Sequence, residues 1–298
     1  MSRLTINKDG TPRVHDVDFV IHELEDSRIR RQILSARIID MQVSGDGPKN
    51  TNCRVLYKNQ AIIIPISEMG IELANNDGDE WTRKVQILST MIGAEIDFIV
   101  RGMDTKDPNN IIVIASRADA LRKKRHEYFL SEHPILTDEY DEAEARVLAV
   151  AEQSARLEIC GVEVTLPMKD LFWEWCTDVR ERLNPGDVIP VKILEKKIVD
   201  KDIQLSVSAK EAMPNTVAIA LEKIHIGDKC LGEVTRIAEN QPIFIHLKNG
   251  ANAIAHNSRV NTAAFPGDIV YLAINQINEE KQTAVGVITR VIHQNRGF

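Results

Sequence analysis

Pro266-Gly267-Asp268-Ile269-Val270 reads as a tight turn opening a β-branched strand, and the chain carries two more stretches of this kind, Pro185-Gly186-Asp187-Val188-Ile189 and Ile92-Gly93-Ala94-Glu95-Ile96. The three glycines lie 93 and 81 residues apart. Solenoid units repeat at roughly 20 to 50 residues, so these intervals mark small domains able to fold alone. A length of 298 residues accommodates three of them.

Outward from each glycine, short β-rich runs alternate with turn-rich segments. The third unit gives Cys230 to Ile237, Ile243 to Leu247, Ala251 to Ala255, Ile269 to Ile274 and Thr283 to Val291. The second gives Ala145 to Val150, Ala155 to Ile159, Glu163 to Leu166, Val188 to Ile193 and Ile203 to Val207. The first gives Leu34 to Met41, Cys53 to Tyr57, Ala61 to Ile66, Ile96 to Val100 and Ile111 to Ala115. In each unit the longest connection lies between the third and fourth runs, and in the second it spans Lys169 to Leu183, a predicted helix. Five short antiparallel strands with that connection describe an OB-fold barrel; an SH3-like barrel matches the strand count but not the connection. Before the first barrel, Phe19, Ile21, Leu24, Ile29 and Ile33 recur at helical spacing across Asp18 to Leu34.

The expected architecture is therefore all-β with short helices: three tandem five-stranded OB-fold barrels behind an N-terminal helix. The predicted boundaries are a lead-in helix over 1–30, barrels over 31–125, 144–212 and 226–298, an acidic linker over 126–143 and a linker helix over 213–225.

Net charge is −7, from 37 Lys and Arg against 44 Asp and Glu, so any contact with phosphates must be local. Much acid sits in Asp138-Glu139-Tyr140-Asp141-Glu142-Ala143-Glu144. Cys53, Cys160, Cys176 and Cys230 are scattered, which suggests neither a metal site nor a disulfide framework. No apolar run reaches the ~18 residues of a membrane span, and Met1-Ser2-Arg3-Leu4-Thr5-Ile6-Asn7 lacks a signal-peptide core, so a soluble, cytoplasmic protein without membrane contact is expected. Nucleophile-elbow, phosphate-loop and metal-ligand motifs are lacking, so neither catalysis nor a cofactor is expected.

The third unit resembles the RNA-binding repeat of the ribosomal protein S-one family. The resemblance rests on Gly232-Glu233-Val234-Thr235-Arg236-Ile237, Phe244-Ile245-His246-Leu247, Gly250, Ala255-His256-Asn257-Ser258 and Pro266-Gly267-Asp268-Ile269-Val270. The second unit adds Leu205-Ser206-Val207-Ser208-Ala209-Lys210, and the first adds Ile64-Pro65-Ile66-Ser67-Glu68-Met69 and Ala115-Ser116-Arg117. It implies single-stranded RNA, mainly mRNA, as ligand, contacted by Phe244 and His256, and the small ribosomal subunit as a partner. The family's earlier second-strand aromatic falls on Gln241, and its Asp and Arg near strand five fall on Asn278 and about Thr283.

Strand alternation gives its own reading of the faces. With Ile243, Ile245 and Leu247 inward, Phe244 and His246 face outward, and an exposed Phe is a sequence-tolerant platform for stacked bases. Alternatively, Phe244 lies under a loop or a neighbouring unit. The same phase turns Arg54 outward in the first unit and Arg156 in the second. Arg54 and Arg156 each lie 11 residues before a proline, Pro65 and Pro167, and Phe244 lies 12 before His256, so the three correspond. A guanidinium can stack on a base and reach a phosphate, or simply pair with an acid such as Glu158. Arg117 and the run Arg122-Lys123-Lys124-Arg125 are further candidate RNA contacts, with pairing to the acidic linker as the alternative for the run. In Phe172-Trp173-Glu174-Trp175 the aromatics can stack bases, although at least one of Phe172 and Trp175 is expected to cap the barrel.

Tandem weak contacts would add by raising the effective concentration of each next site. Two other readings stay open: a protein- or ribosome-docking module, and single-stranded DNA binding. Oligomeric state is not legible.

Overall fold

The structure, a computed structural model, describes residues 14–43, 45, 47–73, 78–106, 111–137, 139–199, 202–238, 242–258 and 264–292. A helix, α1 (Val14–Arg30), leads into β1 (Leu34–Gln42), β2 (Asn52–Tyr57), β3 (Gln60–Pro65), α2 (Glu80–Thr90), β4 (Glu95–Asp104) and β5 (Ile112–Ser116). These strands close a barrel in the order β1-β2-β3-β5-β4. The helix ends at Arg30, because Arg31 takes a left-handed φ of +58° and Leu34 is needed inside the barrel. Leu24 joins that core, and Glu23 accepts hydrogen bonds from Tyr57 Oη at 3.0 Å and Lys58 Nζ at 2.6 Å, which pins α1 to the β2 hairpin.

After β5 the chain forms α3 (Arg117–Arg125) and a π-helical turn, His126–Leu130. The second unit follows as β6 (Glu142–Ala151), β7 (Ser154–Ile159), β8 (Val162–Pro167), α4 (Met168–Leu171), β9 (Val188–Val199) and β10 (Asp202–Ser208). Its order, β10-β9-β6-β7-β8, is the same circuit left unbonded between β8 and β10. Phe129 fills that seam with Val162 and Ile203, flanked by Tyr128, Leu130 and Leu136. The expected acidic linker thus contributes apolar side chains to the barrel that follows it.

A short helix, α5 (Thr216–Leu221), precedes β11 (Lys229–Ile237), β12 (Ile243–Leu247), β13 (Asn252–Ser258), β14 (Ile269–Asn278) and β15 (Thr283–Ile292). They close in the order β11-β12-β13-β15-β14. All fifteen predicted strands are present. The predicted helix over Lys169 to Leu183 is not: only Met168–Leu171 and a 3-10 turn at Val179–Glu181 are helical, and Phe172 is extended at φ −133° and ψ 146°. Between these two turns Trp173 O and Trp175 N bond to Asn252 of the third unit instead of continuing a helix. No helix among the described residues is long and apolar enough to cross a membrane.

The three repeat glycines share one task. Gly93, Gly186 and Gly267 have φ of +94°, +97° and +86°, a region open to glycine at little cost. Their N–H groups donate to Ile38 O, Val147 O and Val234 O at 2.9, 2.8 and 2.7 Å. The N–H groups of those three residues return bonds to Ala94, Asp187 and Asp268 O at 2.9, 2.8 and 2.9 Å. Each clasp sits where the first strand bulges, between Ile38 and Asp40, Val147 and Ala149, or Val234 and Arg236.

The first two units pack closely. Leu148 and Ala149 of β6 join the first barrel's core cluster. Gly161, in the β7–β8 turn at φ +89°, lies against α3, where a Cβ would sit 2.7 Å from Leu121 O and 2.8 Å from Lys124 Cβ. Gly161→Val is therefore expected to cost at least about 1–2 kcal/mol from the backbone alone. A chemical denaturation midpoint unchanged from the parent would refute this close contact.

Candidate nucleic-acid interface

Strand pairing places the outward residues of each barrel in rows across its first, second and third strands. Arg54 pairs with Asp40 and Ile63, Arg156 with Ala149 and Thr165, and Phe244 with Arg236 and Ile254. Each therefore stands opposite the residue that follows the first-strand bulge, so the three positions correspond as the spacing implied. The next row holds Arg37, Leu56 and Ala61 in the first barrel, Arg146, Glu158 and Glu163 in the second, and Glu233, His246 and Asn252 in the third. This second row decides how the units meet.

In the second barrel the row receives Arg117 from the first unit. The Arg117 side chain is fully buried; its guanidinium donates to Glu158 Oε2 and Glu163 Oε1, both at 2.6 Å, and to Met69 O at 3.0 Å. Burial would lower its pKa, but Glu163 and Glu158 outweigh that and hold it above the ordinary value, so it stays charged. Arg117 is thus a core cation joining two units, without surface for RNA. Arg156 donates to Glu163 Oε2 at 2.9 Å and belongs to the same cluster.

The basic run is largely spent in the same way. Lys124 pairs with the buried Asp97, which also accepts from Arg146 and from Ser35, each at 2.5 Å. Arg125 lies 3.4 Å from Glu72 and 3.3 Å from Asp202, Lys123 donates to Arg31 O at 2.8 Å, and the exposed Arg122 pairs with Asp119. Asp119 also accepts from Arg31 at 3.0 Å and Arg101 at 2.9 Å. The run therefore braces the first two units, and its partners are mainly structural carboxylates such as Asp97 and Asp119, with one linker acid, Glu127, 3.6 Å from Lys123.

In the third barrel the second row receives the second unit's extended stretch. Asn252 Oδ1 accepts from Trp175 N at 3.1 Å, and its Nδ2 donates to Trp173 O at 2.8 Å. His246 Nε2 lies 3.9 Å from Glu174 Oε2. Phe244, in the row above, is half-buried: Trp175 meets it edge-on with centroids 5.0 Å apart and planes at 70°, and the exposed Arg236 guanidinium lies 5.2 Å from its ring centre. Phe244 thus faces outward and also lies beside a neighbouring unit. The row continues through half-buried Ile254 and Val285. His256 is in β13, but its side chain lies outside the described residues, as does Gln241.

The first barrel's second row receives no preceding unit among the described residues. Beyond the exposed Arg37 on β1 the face is aliphatic across both rows: Leu56, Ile112 and Ile114 are 42%, 43% and 44% exposed, and Ile114 pairs with Ile63 in the row of Arg54, which is itself 3.3 Å from Asp40. Alternation alone did not disclose this patch, because Ile112 and Ile114 join the face only through the parallel β3–β5 closure. Among the described residues no cluster of three or more His, Cys, Asp or Glu could hold a metal.

No protein-family model matches this chain. A small ribosomal subunit protein bS1 from Staphylococcus saprophyticus is 27% identical over 187 residues, covering 59% of this chain and 46% of that protein. This chain is similar to bS1. Further bS1 proteins match at comparable identity, in keeping with the family resemblance of the repeats. A 4-hydroxy-3-methylbut-2-enyl diphosphate reductase from Clostridium acetobutylicum is 29% identical over 206 residues, 69% of this chain but 29% of the enzyme. The chain thus spans less than half the length of these relatives. A solved multidomain protein with nucleic acid binding domains from Streptococcus pneumoniae covers 87% of this chain and 73% of its own, at 13% identity and a TM-score of 0.20, too low to carry an argument.

The ion cluster sets an acid limit on stability. Burial alone would raise the Asp97 carboxyl, but Lys124, Ser35 and Arg146 hold it below its ordinary value; Arg101 and Arg31 do the same against burial for Asp119. Their stabilisation is present above the unfolded carboxylate pKa of about 4 and is lost as pH falls through the lower folded values. Urea midpoints are expected to fall below about pH 4, and Asp97→Asn to flatten that fall; an unchanged acid slope would refute the role of Asp97.

Proposed function

We propose that this chain is a non-enzymatic, cytoplasmic protein that binds single-stranded RNA in a translation-related role, and that its third barrel carries the RNA contact. The observation that carries this reading is the row Arg236, Phe244, Ile254 and Val285: an outward aromatic with a guanidinium over it, on the strand-two and strand-three face that OB barrels use. The similarity to bS1 supports the ligand class. Arg236 supplies the local positive charge that the overall balance of −7 does not.

Phe244→Ala is expected to weaken binding of a labelled oligouridylate by roughly 1–3 kcal/mol, the range for one base–aromatic stack, with affinity falling as salt rises. Unchanged or salt-independent affinity in fluorescence anisotropy would overturn the assignment, and equal competition by the matching DNA strand would overturn RNA preference.

The first barrel favours a second role. Its exposed Leu56, Ile112 and Ile114 offer no stacking ring, the exposed Arg37 stands at their β1 end, and the aliphatic patch suits contact with a protein, which we assign to the small ribosomal subunit. Co-sedimentation with nuclease-treated small subunits is expected to be lost in Leu56→Asp, and its retention would refute docking through this face.

A further inference from the structure

We propose that Trp175, a residue of the second unit, is a base-stacking residue of the third unit's RNA site, so that the site is built from two repeats. The inference rests on the RNA reading of Phe244 and goes beyond it, since the repeat's own strands do not supply this residue. Trp175 is half-buried and stands at 70° to Phe244 with ring centres 5.0 Å apart. Two aromatic planes at that angle form a corner: a base lying flat on one ring turns its edge toward the other. The Arg236 guanidinium lies over the Phe244 ring, 5.2 Å from its centre, and supplies a cation at the site.

Trp175 is held in place before any ligand arrives. Asn252 of β13 clamps the backbone on either side of Glu174, through Trp175 N at 3.1 Å and Trp173 O at 2.8 Å. Trp173 is anchored away from the corner, donating its indole N–H to Met213 O at 3.2 Å with Lys210 over its ring at 5.2 Å. The indole N–H of Trp175 makes no hydrogen bond to the described residues. A donor only, it suits a base carbonyl or a phosphate oxygen. A ring fixed in advance loses little entropy on binding, and an indole presents more stacking area than a phenyl ring. The ligand is an unpaired nucleobase of single-stranded RNA whose strand passes from the third barrel's face onto the second unit's extended stretch.

The test uses the full chain and a labelled oligouridylate, with Phe244→Ala, Trp175→Ala, Trp175→Phe and the Phe244→Ala, Trp175→Ala double variant. Trp175→Ala is expected to weaken binding about 5- to 100-fold, Trp175→Phe to restore most of it, and the double variant to lose less than the product of the single losses. In a Trp81→Phe, Trp173→Phe background, RNA is expected to quench the remaining indole. Trp175→Ala binding within twofold of the parent, with Phe244→Ala weakened, overturns the two-repeat site and leaves the third-barrel reading intact. Tighter binding by Trp175→Ala overturns it too, showing the stretch to be a cover. A neutral Phe244→Ala overturns the third-barrel reading and this inference with it.

Discussion

A guanidinium without water needs carboxylates, and Arg117 takes both of its own from the next repeat. Arg117 opens α3 on the first barrel, yet Glu158 and Glu163 stand on adjacent strands of the second. Removing one partner of such a buried pair costs about 3–5 kcal/mol, because the remaining charge cannot be solvated. The first two units therefore have one arrangement in which this charge is satisfied. Asp97, bridging Lys124 and Arg146, repeats the device from the other side, with an acid of the first unit and a base of the second.

A common plan follows from the rows. The second and third barrels each receive the preceding unit on the row next to the bulge. An arginine does this in one case and a clamped pair of tryptophan backbones in the other. The face that an OB barrel offers to ligands is thereby used for assembly in the second unit, shared in the third, and left to an aliphatic patch in the first. One fold carries three surface chemistries because its clasp, set by Gly93, Gly186 and Gly267, is indifferent to what the outward residues are.

The barrels were legible because each depends on local signals: period-two alternation around Cys53, Leu157 or Ile245, and a glycine that must turn. The correspondence of Arg54, Arg156 and Phe244 was legible from spacing for the same reason. The partners of Arg117, Arg156 and Lys124 were not, since those contacts join residues distant in sequence, and a basic run reads the same whether it meets phosphate or buried carboxylate. The stretch after Leu171 misled through composition: Phe172-Trp173-Glu174-Trp175 suits a helix, but Asn252 takes its backbone groups into another sheet. The exposed patch of Leu56, Ile112 and Ile114 was not legible, because only barrel closure sets β5 beside β3 and brings its outward residues onto the face of β2.

The seam of the second barrel bears on how the chain is made. Phe129 and its neighbours, which close the gap between β8 and β10, precede that barrel's first strand. During synthesis they leave the ribosome before any of the strands they seal, already attached to a completed first barrel. The second barrel therefore matures on a template the nascent chain has just laid down, and the order of repeats is part of the folding instruction. Reshuffling them by recombination at the apparent boundaries would part this barrel from its own closure.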